Sequence, residues 1–278
     1  MLKQRIFTAL ILLAVLMPAL FARVAWPFSL LTLVMIAAGG WEWGRLNGAT
    51  MTLSLVMGAL LALLGAWAVA SGWTGHPPAW LWWLAAFVWT VGGTVALRVG
   101  PPRWALVPLM VRWTIGLVAL WIAWLALSHA RHVGINFVLS ILALVWAADI
   151  AAYAGGRAFG KRKLAPSISP GKSWEGAFSG AAAVLLLGLA WQAFDHKVAV
   201  DSASVYTQLR QLGGVTGWLF GSLLLSAMSV VGDLMESLVK RAAGAKDSSG
   251  LLPGHGGVLD RVDALLPVFP IALALVAA

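Results

Sequence analysis

The chain has 278 residues, of which 61% are hydrophobic and only 10% are charged. A typical soluble domain has about 25% charged residues, so this composition provides too few polar side chains to cover a water-exposed surface. It excludes a soluble enzyme, a disordered chain and a nucleic-acid-binding domain, and it favours a polytopic membrane protein. Cysteine is absent, which excludes disulfides, thiolate metal sites and a cysteine nucleophile.

Apolar segments of membrane-spanning length follow one another along the whole chain. Because a spanning helix needs about 20 mostly apolar residues, the sequence predicts an all-α fold with about nine transmembrane helices. The predicted segments are 6–22, 25–46, 50–70, 79–98, 108–128, 133–154, 174–194, 213–240 and 258–278. Breaks fall at Gly and Pro clusters in 75–78 and 99–103, and two longer connections are expected at 155–173 and 195–212.

The distribution of positive charge predicts the orientation in the membrane. With a cytoplasmic N-terminus and nine alternating spans, only four of the 19 lysine and arginine residues fall on the opposite side, namely Arg23, Arg131, Lys197 and Arg210. This asymmetry satisfies the positive-inside rule. The net charge of +9 is therefore interpreted as topogenic. The basic loops 155–173 and 240–257 then share the cytoplasmic face, where they contact anionic headgroups or bind a polyphosphate.

Five carboxylates lie within or at the edge of predicted spans, at Asp149, Asp233, Glu236, Asp260 and Asp263. A carboxylate at membrane depth costs roughly a few kcal/mol unless it is paired, metal-bound or facing water. The other five acidic residues are interpreted as loop or helix-end acids: Glu42, Glu175, Asp195, Asp201 and Asp247.

Helical spacing groups the polar residues of the eighth segment on one face, because Asp233, Glu236, Ser237 and Lys240 stand at i, i+3, i+4 and i+7. Oxygen ligands that converge from several helices suit Mg²⁺, which takes few protein carboxylates and completes its shell with water and phosphate. Two other interpretations stay open, namely ion pairs that hold helices together and the proton relay of a transporter.

Two polar, glycine-containing stretches accompany these acids, at 155–176 and 240–257. Small residues allow backbone N–H groups to approach phosphate oxygens, and the lysines supply positive charge. Ser173 stands before a predicted helix, so helix capping is the alternative to a binding role for this residue.

The motifs in both stretches resemble those of the phosphatidate cytidylyltransferases, also called CDP-diacylglycerol synthases. The downstream block contains Ser237, Lys240-Arg241, Lys246-Asp247, His255-Gly256-Gly257 and Asp260-Arg261-Val262-Asp263. The upstream elements are Asp149 with Tyr153, Gly156-Arg157, and Ser169 through Lys172-Ser173. The specific resemblance covers about residues 149 to 263, whereas the first five spans match only as hydrophobic segments.

This resemblance implies that CTP and phosphatidic acid, a membrane lipid, are converted to CDP-diacylglycerol and pyrophosphate with Mg²⁺, and that a second, monovalent cation such as K⁺ shares the site. It also implies a homodimer and no nucleic-acid partner. The expected location is the bacterial inner (plasma) membrane, with the N-terminus and the active site cytoplasmic. A CTP-dependent lipid kinase and, less favoured, a secondary transporter are the competing interpretations.

The resemblance also assigns roles to residues. Asp233 and Asp260 are the expected metal ligands, with Asp263 and Glu236 as further candidates, and Lys240 and Arg261 complete the catalytic set with Asp233, Asp260 and Asp263. The expected substrate-binding residues are Asp149, Tyr153, Arg157, Ser169, Lys172, Ser173, Ser237, Arg241, Lys246, Asp247, His255, Gly256 and Gly257. We expect residues 1–130 to form a scaffold for dimer and lipid contacts, and residues 131–278 to form the catalytic region.

Overall fold

The computed structural model describes residues 2–276, and the side chains of residues 2–6 and 9 lie outside its described part. Lys3 and Arg5, which belong to the predicted cytoplasmic charge, are among those side chains, and residues 277 and 278 of the predicted last span also lie outside. The helices are α1 (Leu2–Leu20), α2 (Trp26–Leu46), α3 (Met51–Ala70), α4 (Trp80–Phe87), α5 (Thr94–Trp104), α6 (Leu109–Val133), α7 (Ile135–Phe159), α8 (Trp174–Lys197), α9 (Val205–Ala242), α10 (Leu259–Val262) and α11 (Leu265–Val276). A π-helical turn, Val88–Gly93, joins α4 to α5.

The all-α, polytopic membrane class is confirmed. Within residues 2–276, six helical stretches are long and apolar enough to cross a membrane: Met51–Ala70, Trp80–Trp104, Leu109–Val133, Ile135–Phe159, Trp174–Lys197 and Val205–Ala242. They coincide with six of the predicted spans. The other three predicted segments, 6–22, 25–46 and 258–278, are mainly helical in their described residues but are not among these six. The total of nine spans therefore stays a prediction.

Two connections differ from the expectation. The polar stretch after α7 contains an antiparallel hairpin of β1 (Lys163–Ala165) and β2 (Ser169–Ser173), which pairs Lys163 with Ser173. Strands this short leave no readable alternation in the sequence. The connection expected at 195–212 is mostly helical, because α8 continues to Lys197 and α9 begins at Val205. The predicted start at residue 213 coincides with a kink at Gly213 and Gly214, where Gly214 has φ +61°.

Small residues bring the helices that carry the site close together. A Cβ on Gly180 of α8 would lie 2.8 Å from the Ala148 carbonyl oxygen of α7, and one on Gly176 would lie 2.7 Å from that of Ala152. These two glycines, four residues apart, therefore let α7 and α8 pack backbone to backbone, as small residues do in membrane bundles. A Cβ on Gly232 of α9 would lie closer still to the Asp263 carbonyl oxygen, just before α11.

Candidate active site

The polar stretch 155–176 and α9 together enclose a cavity of about 520 Å³. Seven of the predicted site residues line it: Asp149, Tyr153, Arg157, Ser169, Lys172, Ser173 and Asp233. Residues that are far apart in sequence therefore line one cavity. Its volume falls within the usual range of small-molecule pockets.

The hairpin is fixed to its surroundings at both ends. Ser173 Oγ accepts a hydrogen bond from the Gly176 backbone N–H at 3.2 Å, so this serine caps α8. Arg241 Nε, at the end of α9, donates to the Ile168 carbonyl oxygen at 3.4 Å. Capping is thus an observed role of Ser173, and the capped end holds β2 and Lys172 at the cavity wall.

Asp233 connects the hairpin to α9. Lys172 Nζ lies 2.5 Å from Asp233 Oδ2, and both side chains are partly exposed towards the cavity. Ser237, one turn later, donates its hydroxyl to Asp233 Oδ1 at 3.3 Å. Asp233 and Ser237 thus share one face of α9, as predicted, and Asp233 is paired with the Lys172 ammonium group.

Lys240 forms the second ionic centre, further along the same helix. Its Nζ lies 2.5 Å from Glu236 Oε2 and 2.5 Å from Asp260 Oδ1. The three side chains are only 13%, 5% and 7% exposed, respectively. Breaking such a buried pair from one side costs about 3–5 kcal/mol, because it leaves an uncompensated charge. Glu236 Oε1 has no hydrogen-bond partner among the described residues.

Asp260 is held by several donors at once. Its Oδ2 accepts from the backbone N–H groups of Ser248 and Gly257 and from the Ser248 hydroxyl, each at 2.8 Å. With the Lys240 ammonium group on Oδ1, all of these contacts are donors to Asp260, an arrangement that suits the negative charge of a carboxylate.

Asp263 completes the acidic group where α9 approaches the start of α11. Its Oδ1 accepts from the Ala264 backbone N–H at 2.8 Å. A Cβ on Gly232 of α9 would collide with the Asp263 carbonyl oxygen, so the two backbones pack directly against each other. Asp263 therefore lies against the helix that carries Asp233 and Glu236.

The donor set of this region fits a hard cation such as Mg²⁺. The predicted ligands Asp233 and Asp260 each hold an ammonium group against one oxygen, so both sites already accommodate positive charge. Among the described residues, no group of three or more His, Cys, Asp or Glu side chains is placed to hold a metal ion by itself. Mg²⁺ does not need one, because substrate phosphates and water usually fill most of its coordination positions.

The remaining predicted residues lie on the loop between α9 and α10, except Arg261, which lies in α10. Arg261 donates twice to the His255 carbonyl oxygen, which closes a turn also bridged between Leu252 and Gly256. Lys246 and Asp247 are exposed on this loop. Gly256 has φ +84°, a conformation that favours glycine, and a Cβ there would lie 2.8 Å from Asp260 Oδ2.

Glu42 was missed by the sequence reasoning. The interpretation as an ordinary helix-end acid is wrong, because this residue of α2 is fully buried and accepts hydrogen bonds from the α9–α10 loop. Glu42 lies in the apolar segment 25–46, where an unpaired carboxylate is costly. The same criterion that singled out Asp149 and Asp233 would therefore have identified it.

Comparisons with known proteins show which family the chain is similar to. The sequence model described as "Cytidylyltransferase family" matches residues 3–278. The chain is 38% identical to the phosphatidate cytidylyltransferase of Pseudomonas aeruginosa over 286 residues, which cover 99% of this chain and 97% of that protein. It is 34% identical to that of Haemophilus influenzae, covering 97% of this chain and 96% of the relative. A shorter match, to the Brucella suis protein of the same name, has 48% identity over 48% of this chain and 44% of that protein.

Proposed function

The chain belongs to the cytidylyltransferase family, and from that premise we propose that it transfers CMP from CTP to phosphatidic acid. The products are CDP-diacylglycerol and pyrophosphate. The observation that carries the proposal is the shared cavity of about 520 Å³, which Lys172, Arg157 and Asp233 line together. This arrangement of basic and acidic groups suits a polyphosphate better than a neutral ligand.

The reaction is an in-line substitution at phosphorus. A phosphate oxygen of phosphatidic acid forms a bond to the α-phosphorus of CTP, the bond from that phosphorus to the bridging oxygen breaks, and pyrophosphate leaves with the bonding electrons. Because the attacking oxygen is already an anion, no general base is required. The catalytic work is therefore positioning and neutralisation of charge.

The residues divide this work by location. Lys172 and Arg157 face the cavity and would bind phosphate oxygens, while Ser169 and the backbone around Gly171 would orient the nucleotide. Lys240, held between Glu236 and Asp260, would neutralise the charge that develops on the leaving pyrophosphate. The exposed Arg241 and Lys246 would attract the triphosphate from the cytoplasm.

Asp233 and Asp260 would hold Mg²⁺, with Asp263 and Glu236 nearby. When bound, the ion supplies neutralisation of the phosphate oxygens and a fixed geometry for them. A monovalent cation such as K⁺ is proposed for the same acidic region. We further propose that the protein acts as a homodimer in the bacterial inner membrane. The site would open to the cytoplasm, because the basic loops cluster on one predicted face.

Labelled CTP tests the proposal. The purified protein, in vesicles with phosphatidic acid and Mg²⁺, is supplied with CTP labelled at the α- or the γ-phosphate. Transfer of α-label to lipid with release of pyrophosphate is the expected result. Transfer of γ-label to lipid would identify a lipid kinase, and a protein that moves solute without labelling lipid would be a transporter; either result overturns the proposal.

A further inference from the structure

Glu42 lies on α2, far in the sequence from the motifs at 149–263. It has 0% exposure, and it lies outside the two polar stretches and the cavity described above. A fully buried carboxylate persists only where donors compensate its charge. Its partners therefore indicate what it does.

Three of its four partners belong to the loop between α9 and α10, and the fourth is Leu259, the first residue of α10. Oε1 accepts from the Ser249 hydroxyl at 2.5 Å and from the Val258 backbone N–H at 2.9 Å. Oε2 accepts from the Ser248 hydroxyl at 3.2 Å and from the Leu259 backbone N–H at 2.8 Å. The carboxylate thus joins the beginning of the segment 248–259 to its end.

Packing around Glu42 independently favours the same contact. Gly39 lies about one helical turn before Glu42, and a Cβ there would lie 3.2 Å from the Leu259 side chain. The missing side chain at Gly39 lets Leu259 lie against α2. At Gly257 a Cβ would collide with the Ser248 hydroxyl and with Glu42 Oε1, so the loop closes directly around the carboxylate.

The same loop also donates hydrogen bonds to Asp260 of α10. The Ser248 hydroxyl lies within hydrogen-bond distance of both Glu42 and Asp260, which share its single proton. The backbone N–H groups of Ser248 and Gly257 donate to Asp260. Two carboxylates, one from α2 and one from α10, therefore share a single donor. Any movement of the segment away from Glu42 would also move the donors that fix Asp260.

We propose that Glu42 is a positioning residue that fixes the segment 248–259 and thereby presents Asp260 to Lys240 and to the bound nucleotide. This inference rests on the proposed function for its kinetic consequence. The claim that Glu42 holds the segment 248–259 in one conformation does not depend on the proposed function. A small displacement of catalytic groups is expensive, since about 1 Å of misplacement can lower a rate 100-fold.

Replacement of Glu42 by glutamine is the most informative variant. Each oxygen of Glu42 accepts one hydroxyl and one backbone N–H. A hydroxyl can rotate to accept a bond from the new amide nitrogen, whereas a backbone N–H cannot. Glu42→Gln therefore keeps the volume of the side chain but leaves the N–H of Val258 or Leu259 without an acceptor.

Asp201→Asn provides the matched control. Asp201 also accepts two backbone N–H groups at the beginning of a helix, those of Ile135 and Asn136, but it belongs to the α8–α9 connection and lies outside the proposed site. Both variants lose a carboxylate that accepts backbone N–H groups. Only Glu42→Gln should change turnover beyond the loss of folded protein.

The full-length protein is compared in vesicles by kinetics and by hydrogen exchange of the peptide 248–259. For Glu42→Gln we expect kcat to fall about 100-fold, a much smaller change in KM for CTP, and faster exchange of that peptide. Asp201→Asn should keep its kcat per folded molecule and the exchange of 248–259. Wild-type kcat and exchange in Glu42→Gln, or a loss matched by Asp201→Asn, would overturn the proposal.

A second variant covers the case in which Glu42→Gln does not fold. Ser249→Ala removes one hydrogen bond from the loop side and leaves the Glu42 carboxylate in place. We expect kcat to fall about fivefold, with faster exchange of 248–259, and no change in either would overturn the proposal. If the wild type transfers no α-label, the proposed function fails, while the exchange data still decide whether Glu42 holds the segment.

Discussion

Lys172 Nζ lies 2.5 Å from Asp233 Oδ2, and this contact joins the hairpin to α9 at the wall of the cavity. The pair is partly exposed, so it is available to a ligand that enters the cavity. A triphosphate would compete with Asp233 for the ammonium group, and a cation would compete with Lys172 for the carboxylate. The pair thus marks the place where both components of a cation–nucleotide complex would bind.

Lys172→Met should therefore impair nucleotide binding and turnover. Loss of one charge-stabilising donor typically lowers the rate about 100- to 1,000-fold, and we expect kcat/KM for CTP to fall by at least the lower figure. Steady-state transfer of α-label to phosphatidic acid measures it. Lys161→Met is the control, because Lys161 is exposed and its side chain forms no ion pair among the described residues. Equal losses in both variants would contradict a specific role for Lys172.

Asp233→Asn and Asp260→Asn test the metal assignment. Each substitution removes a negative charge but keeps the size of the side chain, and we expect at least about a 100-fold loss of turnover in both variants. Asp260→Asn should also lower the midpoint of thermal unfolding, because Lys240 loses one of its two buried partners. The residual rate should no longer rise over the Mg²⁺ concentrations at which the wild-type rate rises. Rates are measured over a Mg²⁺ titration, and folding is checked by thermal unfolding in detergent. A wild-type Mg²⁺ response in either variant would exclude that carboxylate as a ligand.

Lys240→Met should destabilise the protein as well as inactivate it. The substitution leaves Glu236 and Asp260 buried without their shared cation, at a cost of about 3–5 kcal/mol. The midpoint of thermal unfolding should fall clearly below that of the wild type. The double variant Lys240→Met/Glu236→Gln should recover part of this stability, because one uncompensated charge is removed, but none of the activity. Recovery of turnover in the double variant would show that Lys240 serves stability alone.

Much of the fold was predictable because membrane insertion imposes a simple pattern. The length of the apolar segments was enough to predict regions that are mainly helical within residues 2–276. The glycine–proline clusters coincide with the turn before α4 and with the kink at Gly100. Helical spacing also placed Asp233, Glu236, Ser237 and Lys240 on one face. These features depend on local sequence, which periodicity reports directly.

The contacts of Glu42 were not predictable in the same way. Two of its four donors are backbone N–H groups of Val258 and Leu259, more than 200 positions away in the chain. Backbone donors are present in every residue except proline, so they leave no signature in the sequence. The short hairpin was not predicted for a related reason, since the interstrand hydrogen bonds that define it also involve backbone groups.

Single cysteines can test the predicted orientation, because the chain contains no cysteine of its own. Lys161→Cys lies in the stretch expected in the cytoplasm and Lys197→Cys at the end of α8, and both positions are exposed. In intact cells whose outer membrane is permeable, a membrane-impermeant maleimide should label only Lys197→Cys. Both variants should be labelled after lysis, which controls for reactivity, and both should retain activity. Labelling of Lys161→Cys alone in intact cells would place the cavity, and with it the nucleotide site, on the wrong side of the membrane for cytoplasmic CTP.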